Sequence, residues 1–507
     1  MNSFVPISTS LSTVYPPDSV PHQQQRWEHL LCKFSETYGH AATFISRSPG
    51  RVNIIGEHID YSLFSVLPMA VEADLLLACR ITPDSSSITI SNVLGDKFPQ
   101  RTFVVPAKGD GDLEIDATKL EWSNYFKSGY RGTLEFLRRN GLPAADKPPG
   151  MQILVDGNVP SGGGLSSSAA FCVASALAAM VSMGVDSVDK KELVTLAIVA
   201  ERYVGVNAGG MDQSASVLGE EGSACYISFD PELDAEPVAF PKTKPEPVFL
   251  IANTYKTVEK HVTAPVNYNL RVVECTLAAQ VLAKKLGVGK LRKDAGPLGS
   301  SLKGLIDAYS TDKEKSLVEK YTEMLKIVEK ELDTAYTREQ LSEILQVSVN
   351  DLIKQYMTKF PVRAETFNLK SRALHVFGEA ARVVKFMEIL KSGDNSSDVL
   401  QCLGALMNES QQSCKELFNC SCEELDELCR LARGSGSYGS RLTGAGWGGC
   451  SVHLVPEDKA EEVKAVLLKE YYGKLELSDL ELEEAIVVTK PGSGSVLFKV
   501  EGSDIAP

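Results

Sequence analysis

A loop of small residues runs straight into a helical pattern at Val159-Pro160-Ser161-Gly162-Gly163-Gly164-Leu165-Ser166-Ser167-Ser168-Ala169-Ala170. Three consecutive glycines let the backbone approach a ligand closely and adopt positive φ without a Cβ clash. Ser166, Ser167 and Ser168 fall where a helix begins, and the first backbone N–H groups of a helix lack partners within it. Those N–H groups, the helix dipole and the hydroxyls together make an anion site suited to nucleotide phosphates. A flexible Gly/Ser linker has a similar composition, but a linker is not followed at once by the apolar small-residue pattern of Ala169 to Met183. Two commoner phosphate loops do not fit. The chain has no G-x-x-x-x-G-K-[ST], and it has neither the H-R-D nor the D-F-G of protein kinases. The G-x-G-x-x-G match from Gly434 to Gly439 follows a helical stretch rather than a strand, so it is discounted as a dinucleotide fingerprint.

A second constellation is Arg47-Ser-Pro-Gly-Arg51-Val-Asn-Ile-Ile-Gly56-Glu57-His58-Ile-Asp60-Tyr61. Arg51, Glu57, His58 and Asp60 punctuate an otherwise apolar strand-like run. Carboxylates accept from adjacent hydroxyls while Arg and His donate, so the set suits a sugar; a structural salt-bridge cluster fits equally well. The third segment runs from Ala200 to Gln213. Glu201 closes a helical pattern, and Asp212 comes eleven residues later, just after Gly209-Gly210. Two carboxylates beside a phosphate loop suggest a magnesium ligand and a group near the reacting hydroxyl. The fourth segment, Arg441-Leu-Thr-Gly444-Ala-Gly446-Trp-Gly448-Gly449-Cys450, is a glycine-rich turn leading into a strand, and alone it need be no more than a tight turn.

These residues need a frame. Strand signals lie at Phe44–Asn53 (broken by Pro49-Gly50), Leu75–Ile81, Ser87–Ser91, Thr102–Val105 and Met151–Val155, and again at Gly449–Val455 and Glu484–Thr489. Helical periodicity covers Arg26–Tyr38, Trp122–Asn140, Lys190–Val204, Leu403–Leu431 and Lys459–Tyr471. At 507 residues the chain exceeds a single ordinary core. The expected layout is a flexible leader over 1–26, an α+β domain over 27–240, and a second α+β domain over 241–507 with the site between them. The boundary falls in the Pro-rich stretch Phe240–Val248, and the lysine- and glutamate-rich region of about 285–360 reads as a solvated helical insertion.

Composition restricts partners more than substrates. A net charge of −14, from 52 basic and 66 acidic residues, argues against nucleic acid. Eleven cysteines, mostly single within apolar segments, suit reduced thiols in a reducing compartment. Cys414, Cys420, Cys422 and Cys429 cluster without a nearby histidine, which favours core cysteines over zinc ligands. The first lysine or arginine is Arg26, no apolar secretory segment precedes it, and the uncharged stretch Val159–Val185 is too rich in Gly and Ser to span a bilayer. The expectation is a cytoplasmic enzyme that binds neither membrane nor nucleic acid directly. No motif for a regulatory protein partner is legible.

Taken in order, the four segments resemble the motifs of the GHMP kinase superfamily, and its galactokinase branch in particular. R-S-P-G-R-V-N-I-I-G-E-H-I-D-Y is similar to the galactokinase signature, P-S-G-G-G-L-S-S-S-A-A to the ATP loop, and L-T-G-A-G-W-G-G-C to the third motif. The resemblance spans about Phe44 to Gly494, and the runs Val204–Glu221 and Ala264–Ala279 look most like fungal members. It implies the two-domain α+β GHMP fold, with ATP-dependent phosphorylation of galactose at its anomeric hydroxyl in the interdomain cleft. By the same resemblance Arg51, Glu57, His58, Asp60, Gly209, Asp212 and Tyr268 contact the sugar. Gly162, Gly163, Gly164, Ser166, Ser167 and Ser168 hold ATP phosphates, Trp122 lies at the adenine, and Ser168 and Glu201 hold Mg2+. Asp212 and Arg51 carry the catalysis. The first motif is shared with N-acetylgalactosamine kinases. Relatives that act as galactose- and ATP-binding transcriptional co-inducers are altered after the loop serines, whereas Ser168-Ala169-Ala170 is intact here.

Overall fold

The structure is a computed structural model that describes residues 3–116, 119, 121–160, 164–205, 209–256, 263–310, 312 and 314–505. Its first sheet has seven strands in the spatial order β1 (Ile7–Ser8), β15 (Val496–Lys499), β2 (Phe44–Ile55), β3 (Leu67–Thr82), β6 (Gly150–Gly157), β4 (Ser87–Asn92) and β5 (Arg101–Val104). Alternation along the strands supplies two apolar faces. Ile45, Leu76, Ala78 and Leu154 face α1 (Val20–Tyr38) through Trp27, Leu30 and Phe34. Phe44, Leu75, Leu77 and Ile153 belong to the larger core on the other face. There lie α2 (Ser123–Arg139), α3 (Ser167–Ser182), α4 (Lys190–Glu201) and α5 (Met211–Leu218). α3 is apolar nearly all round and is buried from Ala169 to Met180, as such a helix must be. Its small side chains admit α2 so closely that a Cβ at Gly129 would collide with the Cys172 carbonyl.

A hairpin, β7 (Ser223–Ser228) and β8 (Asp234–Ala239), precedes the second sheet. That sheet is antiparallel, in the order β12 (Gly439–Thr443), β13 (Cys450–Pro456), β9 (Pro247–Asn253) and β14 (Ile486–Thr489). α13 (Glu423–Gly434) and α14 (Ala460–Glu470) cover one face. α6 (Tyr268–Lys285), α11 (Leu369–Lys391) and α12 (Ser397–Ser413) contribute to the core on the other.

Four sequence expectations need correction. The leader is built in rather than flexible. β1 pairs parallel with β15, α1 starts at Val20 rather than Arg26, and Val5, Leu11, Val14 and Tyr15 are buried. The Tyr15 hydroxyl donates to Asp74 at 2.5 Å, and Asp74 pairs with both Arg26 and Arg47 at 2.7 Å. Burial opposes charge on Asp74, but the two guanidinium groups outweigh it and hold its pKa below the ordinary value. Nor is the second domain one unbroken stretch to 507, because β15 returns to the first sheet beside β2. The insertion carries α7 (Leu302–Tyr309), α8 (Leu317–Glu331), β10 (Tyr336–Thr337), α9 (Arg338–Leu345) and α10 (Val349–Tyr356), and β10 pairs antiparallel with β11 (Thr366–Phe367) just beyond it. It is helical but not merely solvated, since Leu305, Tyr321, Met324, Leu341 and Leu352 enter the main core. Leu403–Leu431 is two helices, separated by a π turn at Cys414–Phe418.

Candidate active site

β2 changes register after Pro49, and a bulge of this kind re-aims the side chains that follow. Arg51, on that stretch, is buried to 4% exposure. Its Nε donates to Asp212 Oδ1 at 2.8 Å, one terminal nitrogen approaches the same oxygen at 2.7 Å, and the other donates to the Gly164 carbonyl at 2.6 Å. Asp212 sits in the first turn of α5, where a helix N-terminus favours a carboxylate. Its second oxygen accepts from Ser166 Oγ at 2.5 Å. The carboxylate is thus gripped from β2 and from the phosphate loop at once, and its side chain keeps 22% exposure.

The loop itself is docked on the third motif. Gly164 has φ +75 and Gly444 φ +86, and a Cβ on Gly164 would come within 3.0 Å of the Thr443 carbonyl while one on Gly444 would meet the Gly164 carbonyl at 3.0 Å. Two backbones at this separation leave room only for glycine. Ser167 and Ser168 open α3. Gly162 and Gly163 lie outside the described residues. Trp122 precedes α2 and stacks nearly parallel on Phe171 of α3, with ring centroids 6.2 Å apart, while its indole N–H donates to the Pro99 carbonyl at 3.1 Å.

Asp60 heads a short turn, and Gly209 abuts it so tightly that a Cβ would sit inside its carboxylate. Burial, then the charge of Asp212, push the Asp60 carboxyl up to about 6. His58 has positive φ and lies among Tyr61, Tyr268, Phe418 and Trp447, with centroids 4.8 to 5.9 Å away. Its Nε2 is 2.9 Å from the Ala445 carbonyl, which can only accept, so the proton belongs there; Nδ1 then accepts from the Tyr61 hydroxyl at 3.1 Å. Burial pulls its pKa down to about 3, and the imidazole is neutral. Burial likewise raises Tyr268 well above the ordinary phenol value, keeping it protonated beside Asp60, Asp212 and Glu57.

Glu57 is held by the second domain. Its Oε2 accepts from Arg441 at 2.9 Å and Asn53 at 3.1 Å, and its Oε1 accepts from the Gly444 N–H at 3.1 Å. Behind it, Glu379 on α11 accepts from the Gly56 N–H at 2.9 Å and Ser410 Oγ at 2.7 Å, and pairs with Arg382. His375 Nε2 lies 3.0 Å from the Glu57 carbonyl. Arg441, Glu379 and His375 were assigned no role from sequence; only Arg441 stood in a motif at all.

Glu201 ends α4, where Gln213 donates to its Oε2. Cys172 of α3 contacts the Ala197 carbonyl of α4. Ser168 lies one turn before Cys172 on α3 and Glu201 one turn after Ala197 on α4. One carboxylate and one hydroxyl suit Mg2+, which keeps waters and takes substrate phosphates rather than a full protein cage. Among the described residues no group of three or more His, Cys, Asp or Glu could hold a metal ion.

Two such domains, with a phosphate loop at a helix start and a glycine-rich third motif against it, define a GHMP kinase. Family models match accordingly: the galactokinase galactose-binding signature over residues 32–81, the GHMP kinase N-terminal domain over 124–220 and the GHMP kinase C-terminal domain over 397–474. The chain is 43% identical over 502 residues to a galactokinase of Saccharomyces cerevisiae (93% of this chain, 94% of the relative). It is 38% identical over 526 residues to that of Dictyostelium discoideum (98% and 99%). In fold it is similar to Lactococcus lactis galactokinase, solved in complex with galactose (TM-score 0.65, 24% identity, 93% and 99% covered), and to Methanococcus jannaschii mevalonate kinase (TM-score 0.51, 18% identity, 89% and 99% covered). The chain belongs to the galactokinase family.

The Glu57–Arg441 pair gives a stability test. Burial pushes the Glu57 carboxyl up to about 7, with Arg441 the strongest opposing influence. Arg441→Met removes that influence, so the folded state keeps a proton that the unfolded chain gives up above its ordinary glutamate pKa. Stability should fall by about 3–5 kcal/mol, and because wild-type Glu57 itself ionises only near pH 7 while the variant's keeps its proton, the deficit should stay level below about pH 6 and widen between about pH 6 and pH 9. Urea unfolding across that range is the measurement; a deficit that narrows with rising pH would contradict the pairing.

Proposed function

We propose that the chain transfers the γ-phosphoryl group of ATP to the anomeric hydroxyl of galactose, giving α-D-galactose 1-phosphate and ADP, the committing step of galactose use. The observation that carries this is the Arg51–Asp212 pair, set between a galactokinase signature and the loop that opens α3. Phosphoryl transfer requires chiefly positioning and charge neutralisation. In this reading Asp212 accepts the proton of the attacking hydroxyl, whose oxygen bonds to the γ-phosphorus as the bond to the β-phosphate oxygen breaks. Arg51 supplies the counter-charge to Asp212 and faces the negative charge that develops on transfer. Asp60, His58, Tyr268 and Glu57 are the sugar-facing set; Glu57 and His58 do so while already hydrogen-bonded within the protein.

Ser167, Ser168 and the first N–H groups of α3 hold phosphate, and Trp122 with Phe171 offers an aromatic slab for adenine. Ser168 and Glu201 would hold Mg2+, which supplies neutralisation of phosphate charge when bound. The eleven unpaired cysteines support a cytoplasmic setting. Among the described residues no helix is long and apolar enough to cross a membrane.

A coupled assay of ADP release over a panel of hexoses tests the activity. Galactose should be turned over far more efficiently than N-acetylgalactosamine. Comparable or reversed efficiencies would contradict the assignment, as would binding of both substrates without turnover. In the same assay Glu201→Gln should lower turnover about tenfold or more and raise the magnesium needed for half-activity, with galactose affinity in the absence of nucleotide little changed. An unaltered magnesium titration would make Glu201 a structural helix-end carboxylate.

A further inference from the structure

Ser166 is poorly placed for the role its neighbours have. It precedes α3 as the N-cap residue, with φ +57 and ψ +43 in the left-handed region. A non-glycine residue adopts that conformation at a cost, and the glycine before Leu165 shows that glycine is tolerated in this loop. A serine at an N-cap ordinarily turns its oxygen to accept from an N–H of the first turn. Here it makes no such bond. Its hydroxyl points the other way and donates to Asp212 Oδ2 at 2.5 Å. Conformational economy and helix capping are both forgone for a single contact with the carboxylate.

Arg51 occupies only Oδ1 of that carboxylate. A planar group held at one oxygen alone remains able to rotate. Ser166 at Oδ2 fixes the plane, and Oδ2 still keeps a lone-pair direction for an incoming hydroxyl. The groups facing Asp212 from its surroundings are Arg51 of β2, Asp60 of the short turn and Tyr268 of α6. Arg51 alone among these three carries positive charge.

We propose that Ser166 is a positioning residue, which holds the Asp212 carboxylate in the plane required for phosphoryl transfer and does not bind phosphate. The inference rests on the reading of Asp212 as the proton acceptor. It divides the three loop serines: Ser167 and Ser168 serve the nucleotide, while Ser166 serves the base. Through Ser166 and the Arg51–Gly164 contact, the conformation of the phosphate loop is tied to the orientation of the group that activates the sugar.

Ser166→Gly keeps the left-handed backbone and deletes the hydroxyl; Ser166→Ala deletes the hydroxyl while retaining a Cβ. Both should lower kcat about tenfold or more, with KM for ATP and Kd for galactose within about twofold of wild type. In single-turnover measurements on an Asp212→Asn background, adding Ser166→Gly should cost no more than about twofold further, because the group it acts through is already gone. A phosphate ligand would behave otherwise: KM for ATP would rise with kcat little changed, or the full loss would recur on the Asp212→Asn background. Either result overturns the proposal, as does wild-type kcat in both Ser166 variants. Wild-type turnover in Asp212→Asn alone would instead overturn the reading of Asp212 beneath it.

Discussion

Arg51 sets the constraint on which the site depends. From one buried position on β2 it reaches Asp212, 161 residues further along the chain, and the Gly164 carbonyl, 113 residues further along. A guanidinium is a rigid fork that remains charged when buried, so it can satisfy a carboxylate and a carbonyl together. Without it, Asp212 and Asp60 would lie close together as two carboxylates with no fixed counter-charge, and one would have to take up a proton. With it, Asp212 has a fixed counter-charge at 2.7 Å, while burial and the neighbouring Asp212 raise the proton affinity of Asp60.

The remainder of the architecture keeps that cation and its partners in register. The sugar signature belongs to the first sheet, yet its turn at Gly56–His58 is fastened from the second domain by Glu379, Arg441, His375 and the Ala445 carbonyl. Burial works against a charge on Glu379, but Arg382 and Arg441 bring its carboxyl down to about 2. Breaking such buried pairs is costly because it leaves an uncompensated charge, so these contacts fix one relative placement of the two domains. Chain connectivity reinforces them: β15 crosses back to pair with β2, and β1 extends the same edge. Phe64, just past the signature, packs edge-on against Tyr321 of the insertion and Phe377 of α11. The insertion thereby supports the sugar side of the cleft.

Much of this was legible in the sequence, and for identifiable reasons. The long apolar strands, the small-residue helix α3 and the glycine turns each carry a local signal that tertiary structure did not reverse. The roles expected of Arg51, Asp212 and Gly164 are those the family resemblance of their motifs implies, and the structure joins Asp212 and Gly164 through Arg51. Other features have little or no local signal. β1 is two residues long and its partner β15 four, so their pairing is decided by tertiary context alone. Of the buried apolar residues of the leader, Leu11, Val14 and Tyr15 do have helical spacing, but the run is one turn long and stops at Pro16-Pro17, too short a signal to mark a built-in segment. Arg441 lies 384 residues from Glu57, and nothing local marks it as the partner. The direction of the Ser166 hydroxyl depends on a left-handed backbone that a serine-rich run does not announce. Charge along 285–360 masked the stripe of Tyr321, Met324 and Val328 on α8.

The central claim is that Asp212, held by Arg51, acts in the transition state rather than merely shaping the Gly209-Gly210 turn. Asp212→Asn keeps the shape and can still hydrogen-bond a sugar hydroxyl, but it cannot take a proton. Melting temperature, Kd for galactose and kcat measured on one preparation separate the two roles. The account predicts that kcat and kcat/KM fall together by about 10²-fold or more, with a far smaller change in Kd and a folded protein. A kcat within a few-fold of wild type, accompanied by loss of melting temperature and sugar affinity, would contradict it.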